Sequence, residues 1–212
     1  GVESPFARPG RMAHDRLEGS AGADPADIVM DPAERSAIAH ATAQLLISRS
    51  TGEEDAERVE RLVSFAEEHG LDTLAELWST AHPVSLPGAL WRLYLVKAAL
   101  SHNLTDGSEV FSRGLEGLGG IDAVVVGAPS PLTPDAFLVI LDDILRGAFR
   151  GEFALALERA SAVAKAVSAG VISLPPESEI NDYQLSRQAL RWSIISDELA
   201  LSAKKAAEGL LL

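Results

Sequence analysis

The amino-acid sequence predicts an all-α fold: a single helical domain of about seven or eight helices, arranged as an antiparallel bundle or as stacked helical hairpins. Apolar residues recur at helical spacing through most of the chain, as expected for helices that each bury one face. Helix start signals precede several of these segments, among them Asp31-Pro32 and Thr133-Pro134. The strongest strand signal, the run Ile121 to Val126, has no second convincing strand with which to pair.

Composition and charge exclude several classes of function. The 212-residue chain has 18 basic and 31 acidic side chains, and its net charge of -13 opposes binding to a nucleic-acid backbone. The chain contains no cysteine, which excludes disulfides and thiolate chemistry and fits a cytoplasmic protein. No stretch approaches the ~20 uncharged apolar residues of a membrane span, so we expect no membrane partner.

The N-terminal segment lacks any helical pattern. Residues 1–27 mix glycine, proline, serine and alanine with scattered charges, and they include almost no large apolar side chain. We therefore expect an irregular N-terminal arm over residues 1–30, followed by the helical domain over residues 31–212.

Three helices are predicted in the first part of that domain. The first begins after an N-cap at Asp31 and runs to about Ser50. The second, about Glu53 to His69, places acidic and basic side chains one turn apart, which favours a helix. A short helix follows from Leu71 to Thr80.

The middle of the chain combines a strongly apolar helix with weaker patterns. Pro87 opens a helix that continues to about His102 and is apolar nearly all round, which predicts a central position; Ser85 is expected to cap it. A short helix is expected over Ser108 to Leu115, and the glycine cluster Gly114 to Gly120 predicts a flexible connector. We interpret Ile121 to Val126 as a helical turn or an extended segment packed on the core.

Three helices complete the prediction. The first starts at Thr133-Pro134-Asp135 and ends near Arg146-Gly147. The second runs from Glu152 to Ala169 and is closed by Gly170, a residue type that often ends helices. The last is the longest, from about Asn181 to Glu208.

The last helix has apolar residues on more than one face, so it needs more than one partner. One face has Leu185, Trp192, Ile195 and Leu199, and other faces have Leu190, Ile194 and Leu201. The sequence therefore predicts a protein-binding surface on this helix, and homodimerisation through Leu185, Trp192, Ile195 and Leu199 is the mode that we expect.

An alternative hypothesis is a pocket for a small molecule between the helices. Trp91, Tyr94 and Arg146 could line such a pocket, with Asp142 or Asp143 as an acid or base. Aromatic residues at helical spacing more often fill a core, and adjacent carboxylates on a helix point about 100° apart. The pocket is therefore the second choice.

Motifs for catalysis or metal binding are not found in the sequence. None of the five histidines follows a glutamate by three residues, as a di-iron site in a helical bundle requires, and no Gly-x-Ser-x-Gly elbow occurs. The glycine cluster matches no phosphate-binding motif. We therefore expect no metal, no cofactor and no catalytic residue.

Three segments together resemble a family of uncharacterised bacterial proteins of about this length: Leu71 to Trp78, Leu86 to Tyr94 and Leu145 to Ala160. The resemblance covers roughly Asp31 to Gly170 and implies a conserved type of helical unit, with no established activity. The sequence thus predicts a non-enzymatic helical interaction or scaffold protein. A third hypothesis, an acidic mimic that occupies a nucleic-acid-binding partner, rests on the acidic excess between Asp31 and Asp72.

Overall fold

The computed structural model describes residues 30–47, 72–119, 125–129, 131–175, 177 and 179–212. In these residues the chain forms seven helices and no strand, which confirms the all-α prediction. The helices are α1 Pro32–Ile47, α2 Asp72–Trp78, α3 Leu86–Ser101, α4 Leu104–Leu118, α5 Pro134–Phe149, α6 Phe153–Ile172 and α7 Glu179–Ala207. The predicted helix Glu53 to His69 and nearly all of the predicted arm over residues 1–30 lie outside the described residues.

Side-chain caps fix the starts of three helices, two of which the sequence signals. The Ser85 hydroxyl accepts a hydrogen bond from the Gly88 amide at 3.1 Å, as expected of a cap for the helix that Pro87 opens. Thr133 caps α5 in the same way, and Asn103 caps α4. Because Asn103 supplies this cap, α4 begins four residues before the predicted Ser108.

Among the seven helices of the described residues, α6 is the most buried, whereas the sequence predicted the centre at α3. Small residues such as Ala160, Ala164 and Ala166 are fully buried, and α6 packs against α4, α5 and α7. Alanine side chains let neighbouring helices approach from several sides, which the bulkier side chains of α3 do not allow. α3 instead buries one face and leaves Ala98 exposed.

Two glycines bring the backbones of α4 and α6 into contact. A Cβ on Gly114 would stand 1.7 Å from the Ala166 carbonyl oxygen, and a Cβ on Gly170 would stand 1.8 Å from the Val110 carbonyl oxygen. Gly170 therefore does not end its helix as predicted, because α6 continues to Ile172. Gly114 likewise lies inside α4 rather than in a flexible connector.

Of the run Ile121 to Val126, the structure describes residues 125 and 126. Val125 and Val126 are helical, and the Val126 side chain is buried in the core. The Arg159 guanidinium of α6 donates a hydrogen bond to the Val126 carbonyl oxygen at 2.9 Å. This contact holds the segment against α6, as a helical turn packed on the core requires.

One continuous core receives side chains from all seven helices. Within the described part of the chain, no helix is both long enough and apolar enough to cross a membrane.

Candidate functional site

The inner face of α7 packs against α6. Trp192 and Leu199 are 2% and 0% exposed, Ile195 is buried, and Leu185 is half-buried against the same core. These four residues were predicted to form a dimer surface, but they lie in the core of the chain itself. The physical reason is that the small side chains of α6 leave room for the bulky inner face of α7, so α6 covers that face.

Buried serines join α6 to α7. The Ser161 hydroxyl donates to the Ser196 carbonyl oxygen at 2.8 Å, and the Ser196 hydroxyl donates to the Ser161 carbonyl oxygen at 2.9 Å. Farther along, the Ser168 hydroxyl donates to the Ala189 carbonyl oxygen at 2.7 Å. Ser168 follows Ser161 in α6, whereas its partner Ala189 precedes Ser196 in α7. The two helices are therefore antiparallel.

A second link to α7 comes from α3. The Arg92 guanidinium is paired with the Glu198 carboxylate, and both side chains are largely buried. Arg92 also donates to the Gly88 carbonyl oxygen on its own helix at 3.1 Å. The two charged residues are 106 positions apart in the sequence, so no local pattern could have predicted this pair.

The outer face of α7 exposes four large apolar side chains. Tyr183 is 64% exposed, Leu190 61%, Ile194 46% and Leu201 47%. Their spacings of seven, four and seven residues place them on one side of the helix. Leu190 and the buried Trp192 point about 200° apart at 100° per residue, so this side lies opposite α6.

Two charged residues lie on the same side as these apolar residues. Arg187 and Asp197 are both exposed, and the Arg187 guanidinium lies over the Tyr183 ring, 5.7 Å from its centre. We call the resulting surface the outer stripe; it consists of Tyr183, Arg187, Leu190, Ile194, Asp197 and Leu201. Leu190, Ile194 and Leu201 are recognisable in the sequence as apolar residues of this helix, but the predicted binding surface lies on the opposite, inner face.

The alternative pocket residues lie on α3 and α5. Trp91 and Tyr94 stack, with ring centres 5.7 Å apart and 29° between the ring planes. Arg146 forms an ion pair with Asp143 on its own helix at 3.7 Å, and both side chains are about half exposed. The structure therefore brings Trp91 to Tyr94, while the charged group of Arg146 is paired with an acid one turn away.

The phenol of Tyr94 is engaged within the chain. Its hydroxyl donates a hydrogen bond to the Asp72 carboxylate of α2. Burial, followed by the hydrogen bond to Asp72 and its negative charge, raises the pKa of Tyr94 to about 12. The phenol thus stays protonated over the physiological range and ties α3 to α2.

The adjacent carboxylates Asp142 and Asp143 have separate partners. Asp142 forms an ion pair with Lys97 of α3 at 2.7 Å, whereas Asp143 forms one with Arg146. Each of the two carboxylates is thus engaged in an ion pair of its own, one with the neighbouring helix α3 and one within α5. In the described residues, no group of three or more histidine, aspartate or glutamate side chains is placed to hold a metal ion.

Comparison with protein-family models, with curated proteins and with solved structures finds no match for this chain. The resemblance to a bacterial family therefore stays a prediction.

Proposed function

We propose that this chain is a non-enzymatic helical interaction or scaffold protein, and that it binds another protein chain through the outer stripe of α7. The observation that carries the proposal is the difference in burial between the two faces of α7. Its inner face is covered by α6, while four large apolar residues on the opposite side remain exposed. Apolar patches of this kind on a folded protein are typical of binding surfaces.

The energetics favour a partner for this surface. Full burial of a leucine or isoleucine side chain contributes about 1.5–3 kcal/mol, so covering a half-exposed one contributes about 1 kcal/mol. Four such side chains together provide several times that amount, which offsets part of the entropy lost on association. The apolar side chains of the outer stripe would thus supply the affinity of a modest helix–helix contact.

The same proposal includes a cytoplasmic location and a partner that is neither nucleic acid nor membrane. The net charge of -13 supports the first exclusion, because a phosphate backbone repels an acidic protein. The absence of cysteine fits a reducing compartment.

A photo-crosslinker introduced at position 194 tests the proposal in the cell. A photoreactive phenylalanine analogue replaces Ile194 on the outer stripe, and a control copy has the same analogue at Glu109, which is exposed on α4. We expect a discrete protein adduct from position 194 and none from position 109. The adduct should disappear when Leu190→Glu is added, because this change puts a charge in the centre of the stripe. Equal adducts from positions 194 and 109 would overturn the proposal.

The pocket hypothesis has weaker support. A small molecule needs polar groups that are free to turn toward it. The Tyr94 hydroxyl is bonded to Asp72 and the Arg146 guanidinium is paired with Asp143, so two of the three predicted residues are already engaged. The half-buried stack of Trp91 on Tyr94 is the observation that favours it.

A further inference from the structure

The residues of the outer stripe are arranged symmetrically about position 192. Leu190 and Ile194 stand two residues before and after it, Arg187 and Asp197 stand five before and after it, and Tyr183 and Leu201 nine. Each pair is matched in chemistry, either apolar with apolar or cation with anion. A surface with this symmetry is complementary to itself when it is turned end to end.

We propose that the partner of the outer stripe is a second copy of this chain, whose α7 packs antiparallel on α7 across a twofold axis at the level of residue 192. This inference rests on the proposed function, since it names the partner of the same surface. A twofold interface uses the same patch on both copies, so each residue meets its counterpart on the other side of the axis.

The antiparallel register sets the contacts. Leu190 of each copy lies level with Ile194 of the other, and Tyr183 lies level with Leu201. Arg187 of each copy lies level with Asp197 of the other, which gives two arginine–aspartate ion pairs across the interface. One of these ion pairs therefore lies at each end of the apolar centre, which consists of Leu190 and Ile194 of both copies.

The charges select this register over the parallel one. In a parallel pair with the same face buried, Arg187 would meet Arg187 and Asp197 would meet Asp197, and both contacts repel. Exposed ion pairs contribute little affinity, so their effect is on register and orientation. The affinity comes from the four apolar residues of the stripe.

The size of the surface predicts a weak dimer. From Tyr183 to Leu201 the stripe is about 27 Å long at a rise of 1.5 Å per residue. One helix face of this length covers less than the ~800 Å² per partner of a stable complex. We therefore expect a dissociation constant on the order of 10–100 µM.

Sedimentation of the full chain from low micromolar to several hundred micromolar tests the inference. We expect a monomer at the lowest concentrations that converts to a dimer, and no larger species, because the twofold contact is closed. Leu190→Glu should raise the dissociation constant more than about tenfold, since both copies place a charge in the apolar centre. Val139→Glu, at a residue that is 57% exposed on α5, should leave it unchanged.

Charge exchange tests the register itself. Arg187→Asp or Asp197→Arg alone should each weaken the dimer by about three- to tenfold, because both ion pairs become like-charge contacts. An equimolar mixture of these two variants should restore the affinity, since the mixed dimer contains two Asp–Arg pairs. Glu116→Arg, at an exposed residue of α4, makes the same change of charge as Asp197→Arg; it is the control matched to that variant and should leave the affinity unchanged.

The outcomes separate this inference from the proposed function. A monomer at all concentrations, or a dimer insensitive to Leu190→Glu, overturns the inference. Single charge variants that leave the affinity unchanged also overturn it, because they rule out the antiparallel register. If the crosslinker at position 194 then captures a different protein, in an adduct that Leu190→Glu removes, the proposed function stands without the second copy. Circular dichroism of each variant confirms that it is folded.

Discussion

Gly114 of α4 and Ala166 of α6 stand in direct backbone contact: a Cβ on the glycine would lie 1.7 Å from the alanine carbonyl oxygen. Real Cβ atoms do not approach a backbone oxygen so closely, and a carbonyl within a helix cannot turn aside. The two helices must separate if any side chain is placed at this position. Gly170 and Val110 form the corresponding contact farther along the same pair.

Gly114→Ala is therefore expected to destabilise the fold strongly. We expect a loss of more than about 3 kcal/mol in the free energy of unfolding, from the overpacking and the loss of contacts between α4 and α6. Urea denaturation followed by circular dichroism measures it. Gly117→Ala is the matched control on the same helix, because a Cβ there meets nothing within 4 Å. The control should be stabilising by about 0.5–1 kcal/mol, since alanine favours a helix over glycine. Similar effects at both positions would contradict the contact.

The two faces of α7 should respond differently to truncation. Trp192→Ala removes a buried side chain and should cost about 3–5 kcal/mol of stability. Leu190→Ala, on the outer stripe, should change the free energy of unfolding by less than about 0.5 kcal/mol when measured at low concentration, where the chain is a monomer. A large loss from Leu190→Ala under these conditions would show that the outer stripe is covered by the chain itself.

Serines on the α6–α7 contact offer a test of buried hydrogen bonds. Ser161→Ala removes the hydroxyl that donates to Ser196 and should cost about 1 kcal/mol. Ser202→Ala is the control on α7: its hydroxyl is fully buried and has no hydrogen-bond partner among the described residues. Its removal should be neutral or stabilising by about 1 kcal/mol, because an unsatisfied polar group leaves the core. Thermal or urea unfolding compares the two, and a larger loss from Ser202→Ala would contradict the assignment.

The raised pKa of Tyr94 predicts how stability depends on alkaline pH. The folded chain holds the pKa at about 12, whereas the unfolded chain ionises near 10.0. The contribution of this phenol to stability is fully present below pH 10 and is lost as the pH rises from there through 12. Tyr183→Phe leaves Tyr94 as the one tyrosine of the chain, so that phenolate absorbance follows its titration.

Asp72→Asn should lower the pKa of Tyr94 only in part. The substitution removes the negative charge and changes the hydrogen bond, but burial, the largest cause of the shift, remains. Asp135→Asn, at an exposed residue of α5, is the control and should leave the titration unchanged. A pKa that falls to the ordinary value of tyrosine in Asp72→Asn would show that the carboxylate, and not burial, causes the shift.

Local signals in the sequence predicted the helices, while their contacts needed the structure. The Thr133 cap and the proline after it are short-range features, so the start of α5 could be predicted. Which face of α7 meets α6 depends on the fit between two helices, and both of its faces look apolar in the sequence. In the sequence, Gly170 resembles a helix end, because glycine occurs both at helix ends and where two helices are in close contact. Only the position of Val110 in the structure shows that Gly170 belongs to a close contact. The helical spacing of the outer-stripe residues is evident in the sequence, but their exposure is evident only in the structure.

The pairing of α6 with α7 also has a consequence for the order in which the chain folds. Only residues 173–178 separate the two helices, so their contact closes a short loop at small entropic cost. Contacts between sequence neighbours form faster than the distant pairing of Arg92 with Glu198. We expect α6 and α7 to form the earliest native unit, and pulse-labelling hydrogen exchange during refolding should protect their amides before those of α3. Simultaneous protection of all three helices would instead indicate one cooperative step.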